Sequence, residues 1–241
     1  MRPTLAVTQN APARTFPTLL YLGLVAGVVI QNTMAKAAGL PSGRVWFATL
    51  VLIPVALLGG RLLHVANHWA DYRDDRRRIL DRATGGMALY GGLIILLPAS
   101  VAVLAALAVP FWSFWDLAVF PIFITMAAGR FGCLVTGCCG GRITSGRFGL
   151  WLRDAEGHRA HRVPAQLLEA GLAAGLLLLA FAVRSSLSRP GELFLTVAVL
   201  FGTGRLGLLP LRGDRSHAAV TRLISIALVA GGLGGLLWLR L

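Results

Sequence analysis

An arginine at the end of a long apolar run is costly unless it has an anionic partner. This chain of 241 residues has three in that position: Arg61, Arg130 and Arg205. A guanidinium stays charged at any working pH and meets phosphate through two parallel hydrogen bonds. The chemistry these residues suit is therefore the holding of an anion, with phosphate as the best match. Arg130 lies in the stretch AAGRFGCLVTGCCGGR (127–142), which carries all three cysteines and five of the 29 glycines. Glycine at this density lets backbone come close to a ligand or to another helix. Two readings fit the stretch: the floor of a polar site at a membrane edge, or a glycine-rich helix end with a snorkelling arginine. Gln166 and Glu169 are the polar residues that open the fifth apolar run. A carboxylate in the first turns is an ordinary helix-start signal, and Glu169 can equally be an inward partner or a base. Tyr90 is a poor base at neutral pH, with an ordinary pKa of about 10.

The elements that must position these residues are membrane spans. Hydrophobic residues make up 56% of the chain and charged residues 14%, with a mean hydropathy of +0.72. Soluble domains carry about 25% charged residues, so the deficit and the repeated apolar runs indicate an integral membrane protein. The runs predict an all-α fold of about seven transmembrane helices at 16–37, 45–66, 84–109, 112–135, 164–183, 191–211 and 218–239. Gln31 and Asn32 interrupt the first and are expected to face inward. The whole chain, 1–241, is read as one membrane domain, with 136–163 as a small polar head between spans four and five. With alternating spans, Arg61, Arg130 and Arg205 reach one membrane face. The glycine-rich 85–92 and the pair Gln166 and Glu169 open the third and fifth spans on that same face. This convergence favours a single cationic cavity, for which an anionic phospholipid headgroup is the natural ligand.

Other readings are weaker. The net charge is +13, carried almost wholly by arginine, and no soluble basic domain is visible for nucleic acid. Contact with anionic headgroups explains the charge more simply. Adjacent Cys138 and Cys139 suit neither a disulfide with each other nor, without a nearby histidine, a metal. The cysteines are read as small packing residues, and no metal or cofactor is expected. His64 and His68 read as interfacial polar residues. The mixed-sign run 71–78 reads as a solvated, salt-bridged helix. No removable signal peptide is read at the N-terminus.

These residues resemble the bacterial prolipoprotein diacylglyceryl transferase family, in five elements that keep their order along most of the chain. Gly85-Gly86-Met87-Ala88-Leu89-Tyr90-Gly91-Gly92-Leu93 is similar to the family's G-G-M-x-x-H-G-G-L. Gly129-Arg130-Phe131-Gly132 resembles the start of G-R-x-G-N-F-x-N-G-E-x-x-G, and Gly141 falls on that signature's last glycine. Asp116, 14 residues before Arg130, matches a family aspartate at that spacing. Val163-Pro164-Ala165-Gln166-Leu167-Leu168-Glu169-Ala170 resembles H-P-S-Q-L-Y-E-A. The stretch from Gly204-Arg205 to Leu211-Arg212-Gly213-Asp214 resembles R-x-x-x-E-x-x-R. The resemblance implies seven spans in the bacterial inner membrane. It also implies transfer of a diacylglyceryl group from phosphatidylglycerol to the cysteine thiol of a lipoprotein precursor. Arg130, Arg205, Tyr90 and Glu169 would then be catalytic. Arg61, Gly91, Gly92, Gly129, Gly141, Gln166 and Arg212 would line the lipid site. The alternative is a catalytically degenerate lipid-binding or chaperone-like relative.

The departures are specific. Tyr90 stands for the family's histidine, Cys133 and Thr136 for its two asparagines, Cys138 for a glutamate and Leu209 for the C-terminal glutamate. Leu19 takes the place of an N-terminal tyrosine, with Tyr21 near. The arginines and glycines suited to a lipid phosphate are kept, while most groups that would handle the thiol are replaced. Topology adds a conflict. The loops on the site's side hold most arginines, which the positive-inside rule assigns to the cytoplasm, whereas the resemblance implies the outer face. The expectation adopted is the outer face.

Overall fold

The computed structural model describes residues 14–73, 75, 89–138, 140–153, 158–213 and 218–241. The long elements are α1 (Thr15–Ala37), α2 (Ser42–Asn67), α4 (Leu89–Ala106), α5 (Phe111–Thr136), α6 (Ala165–Val183), α7 (Glu192–Leu208) and α8 (Ala218–Arg240). Between them lie the four-residue α3 (Trp69–Tyr72), the strands β1 (Leu150–Arg153) and β2 (Arg159–Arg162), and a 3-10 turn, Leu209–Leu211. Six helices are long and apolar enough to cross a membrane, and α4 supplies a shorter apolar helix, Gly91–Ala106. The protein is thus an all-α multi-pass membrane protein, as the apolar runs predict. The expected start of the third span, 84–88, and half of the charged run 71–78 (74 and 76–78) lie outside the described residues, as does Cys139.

Large apolar side chains such as Tyr21, Val25, Leu178, Leu223 and Leu237 point outward, as lipid-facing surfaces require, because hydrocarbon takes the place of water. Three buried hydroxyls return their hydrogen to a carbonyl of the preceding turn. Thr49 bonds to Val45 O at 2.9 Å, Ser100 to Leu97 O at 2.7 Å and Ser225 to Thr221 O at 2.8 Å. That satisfies them within their own helices. Gln31 is buried, as expected from its place in the first run, while Asn32 is only half-buried.

The chain divides into two compact units, Met1–Gln31 with Trp115–Leu241, and Asn32–Phe114. In the smaller unit α2 packs on α4 through glycine. A Cβ on Gly59 would overlap the Gly91 carbonyl oxygen, and one on Gly91 would overlap Gly59 O and Leu63 Cβ. At the end of α2, the His64 and His68 rings lie 4.2 Å apart, and Arg61 sits 5.4 Å above the Tyr72 ring. A cavity of about 370 Å³ in this unit is lined by Asn32, Lys36, Ser42, Gly43 and Trp46, none of them an expected site residue.

In the larger unit Gly23 and Gly27, four residues apart on α1, sit against Ala128 and Pro121 of α5. Small residues at this spacing let two helices approach closely inside a membrane. Gly129 and Gly132 continue the contact against Leu20 and Phe16. Aromatic pairs fill the remaining core, Trp115 with Phe194 at 4.9 Å, Phe120 with Phe181 at 4.7 Å and Phe123 with Phe201 at 5.5 Å. Asp116 of α5 caps α7 from outside that helix. Its carboxylate accepts from Gly191 N at 2.6 Å and Phe194 N at 2.8 Å, two donors that a helix start leaves without intrahelical partners.

Candidate active site

The polar centre of the larger unit is Glu169. It lies in the second turn of α6 and is only 4% exposed. Arg130, near the end of α5, donates from Nε to Glu169 Oε2 at 2.7 Å. Arg205, in the last turn of α7 and 7% exposed, bonds Glu169 Oε1 through Nη1. Arg212, just past the 3-10 turn, brings its Nη1 to 3.6 Å from the same oxygen. Among the described residues, three guanidiniums therefore share one buried carboxylate. Three guanidiniums about one carboxylate make this a cationic cluster, and guanidiniums suit an anion with paired oxygens.

The backbone explains how four residues distant in sequence meet. Helix α5 ends at Thr136, and Gly137 follows with φ 80. Gly137 N and Cys138 N both bond to Cys133 O at 3.1 Å, a glycine-terminated helix end of the Schellman type. The chain then runs extended through 141–144 between two other segments. On one side Arg142 N bonds Leu211 O at 3.0 Å, and Gly141 pairs with Arg212. On the other, Val163 N bonds Arg142 O at 3.0 Å and Thr144 N bonds His161 O at 2.9 Å. This strip ties the end of α7 to the start of α6, and so sets Arg212 beside Glu169. Gly141 has no room for a side chain, because a Cβ there would overlap Val163 O and come within 2.9 Å of Leu211 O. Beyond the strip, β1 and β2 form an antiparallel hairpin with Leu150 opposite Arg162.

The structure brings Arg130, Arg205, Arg212 and Glu169 into direct contact, as a face shared by the ends of α5 and α7 and the start of α6 demands. Gln166 lies one turn before Glu169, and its Nε2 donates to Cys138 O at 2.7 Å. Gly141 serves the site through the backbone. Gly129 has a packing reason to be glycine, its contact with α1. Arg61, Gly91 and Gly92 belong to the smaller unit, where Gly91 faces Gly59 and Gly92 faces Ala56 O. Tyr90 is helical in the same unit. Cys133 is buried and Cys138 half-buried, with Cys138 Sγ 3.6 Å from Thr136 Oγ1.

Two relationships were not legible beforehand. Glu169 is not an isolated base candidate, since both of its oxygens are already held by arginine. Asp116, a conceivable partner of Arg130, instead caps α7. The sequence spacing itself excludes Arg130 as its partner, since fourteen helical residues are a rise of about 21 Å; the cap on α7, 75 residues away in the chain, is what it did not show.

A family model described as prolipoprotein diacylglyceryl transferase matches residues 3–238. The chain is similar to the phosphatidylglycerol–prolipoprotein diacylglyceryl transferase of Clostridioides difficile (strain 630), with 25% identity over 219 residues, 91% of this chain and 86% of that protein. It is similar to the protein of the same name from Bacillus cereus (strain B4264), with 27% identity over 230 residues, 90% of this chain and 84% of the relative. The Bacillus anthracis protein of that name is 26% identical over 230 residues, with the same coverage.

Proposed function

The chain belongs to the prolipoprotein diacylglyceryl transferase family, and from that premise we propose that it moves the diacylglyceryl group of phosphatidylglycerol onto the cysteine thiol of a lipoprotein precursor. The observation that carries the site assignment is the cluster of three arginines on one buried carboxylate. In this reaction sulfur attacks the glycerol carbon that bears the phosphate. A carbon–sulfur bond forms, the carbon–oxygen bond breaks, and its electron pair leaves on the phosphate oxygen. The phosphodiester monoanion becomes glycerol phosphate, a dianion until it takes up the proton released by the thiol. A cluster of three guanidiniums suits that developing charge, which is the electrostatic form of catalysis.

Arg130 and Arg205 hold the phosphate in this reading, and Arg212 joins them from the rim. Glu169 is first a positioning residue: its two oxygens set the angles of the guanidiniums. To accept a thiol proton it must first be released by at least one of them. Gly141 supports this site by letting the backbone strip close against Val163 and Leu211. The setting is the bacterial cytoplasmic membrane, with the site open to the outer face and 136–163 outside the bilayer.

The test is transfer by purified protein in phosphatidylglycerol vesicles to a precursor peptide containing the acceptor cysteine. Mass spectrometry should find a thioether-linked diacylglyceryl product, absent when the peptide carries serine at that position. A second reading rests on Cys133, Thr136, Cys138 and Leu209, which replace the family's polar groups. A degenerate lipid binder would co-purify with anionic lipid yet form no product while a family member is active alongside, and that result would remove the transferase assignment.

A further inference from the structure

Gln166 is 1% exposed, yet only half of its amide is satisfied. Its Nε2 donates to Cys138 O at 2.7 Å. That bond fixes which way the amide points, because the reverse orientation would set oxygen against oxygen. The other end, Oε1, is buried and has no donor among the described residues. A buried acceptor without a donor is unfavourable, so the site lacks a hydrogen-bond donor at this point. Gln166 and Glu169 are three residues apart on α6, which puts them on one face of the helix. That face is the one on which Arg130, Arg205 and Arg212 converge. Gln166 thus sits about one helical turn from Glu169, the carboxylate on which the arginines meet.

We propose that Gln166 Oε1 reads the headgroup alcohol of the bound phospholipid, accepting a hydrogen bond from a hydroxyl next to the phosphate. The inference rests on the phosphate-binding reading above and assigns the selectivity of that site. Two properties of the cluster narrow the headgroup class. A choline headgroup has no donor for Oε1. An ethanolamine headgroup has donors, but its ammonium brings positive charge up to three guanidiniums. A neutral polyol satisfies the acceptor without that repulsion. Gln166 is thus a specificity residue that acts by requiring a donor, a form of discrimination stronger than steric fit.

The experiment compares phosphatidylglycerol with a phosphatidylpropanol of the same acyl chains, which has the same charge and no headgroup hydroxyl. Each is titrated into the detergent-purified full chain, and the lipid concentration giving half of the maximal rise in melting temperature is read. Wild type should need about tenfold less phosphatidylglycerol than the hydroxyl-free lipid, the ratio expected for one hydrogen bond to a buried acceptor. In Gln166→Met the two concentrations should agree within about twofold. Equal concentrations in the wild type would overturn the proposal and leave Oε1 to a water molecule only. A tenfold preference that survives in Gln166→Met would also overturn it, by assigning the headgroup to other residues. If Gln166→Met gives no cooperative melting, Gln166→Asn, which keeps the amide but shortens the side chain, decides, with the preference again expected to fall to about twofold. The parent reading fails separately. Loss of this preference while transfer proceeds defeats only the Gln166 assignment. Full preference with no transfer defeats only the enzymatic reading.

Discussion

Two helix contacts, one in each unit, bring polar groups together inside apolar surroundings by opposite means. Between α2 and α4, Gly59 and Gly91 turn bare backbone toward each other's carbonyl oxygens. No charge is involved, and the contact lives on shape and on weak Cα–H···O attraction. Among α5, α6 and α7, full charges meet: Arg130, Arg205 and Arg212 about Glu169. The first contact is complete in itself. The second gathers three guanidiniums about one carboxylate, which suits it to an anion in the reading proposed above. This difference separates two meanings of a glycine-rich, arginine-bearing sequence. Near α4 the glycines have a structural reason sufficient to explain them. Near α5 the arginines do not.

The comparison can be broken most forcefully at Glu169. Glu169→Ala leaves three guanidiniums without their shared counter-charge, and losing one partner of a buried pair costs about 3–5 kcal/mol. The melting temperature without lipid should fall sharply, and added phosphatidylglycerol should recover part of the loss by supplying an anion. A fall that the lipid leaves untouched would mean the cluster is purely structural.

Gly91→Ala comes next. The new methyl meets Gly59 O and Leu63, and overpacking of this kind costs about 1–3 kcal/mol. Its melting curve should shift down, while the additional rise given by phosphatidylglycerol stays at the wild-type size. If that lipid-dependent rise disappears instead, the α2–α4 glycines serve the ligand and the contrast drawn above is void.

Arg130→Lys tests the charged contact more finely. Arg130 uses Nε on Glu169, which keeps the remainder of the planar fork for a second anion. A lysine has one point charge for both tasks. Titration of the melting temperature should show affinity for phosphatidylglycerol about tenfold weaker, roughly 1.4 kcal/mol, with a smaller loss of lipid-free stability than in Glu169→Ala, because Arg205 still pairs with the carboxylate. The smallest effect is expected at Asp116→Ala. Loss of a helix cap costs about 1 kcal/mol, read as a small drop in melting temperature with unchanged lipid affinity. A change in lipid affinity there would show that the start of α7 communicates with Arg205 at its other end.

The spans were legible because each is a continuous apolar run, and α1, α2, α5, α6 and α8 begin and end within three residues of the expectation. The convergence of Arg130, Arg205 and Glu169 was legible too, since alternating spans alone bring those ends to one face; Arg212 entered only through the resemblance, and Arg61, expected on that face, belongs to the other unit. What the residues share was not. Glu169 was open as a base, a helix-start residue or an inward partner. That it serves three arginines at once depends on the strip 141–144, whose bonds to 161–163 and 211–212 join positions far apart in the chain. The strands LWLR and RAHR are four residues each, too short to carry an alternation signal, so 136–163 read as loop. The glycines of 91–92 were ambiguous for a different reason, because close approach to a helix and close approach to a lipid ask for the same residue.

The order of the site residues along the chain has a consequence for biogenesis. Arg130 and Glu169 belong to consecutive spans, so they can enter the bilayer together as a neutral hairpin. Arg205 follows Glu169 by 36 residues, about 2–7 s of synthesis at the usual rates, and Arg212 comes after it. The Arg130–Glu169 pair is therefore neutral in itself until α7 joins, and only then does the cluster gain its further guanidiniums, among lipids that can supply an anion.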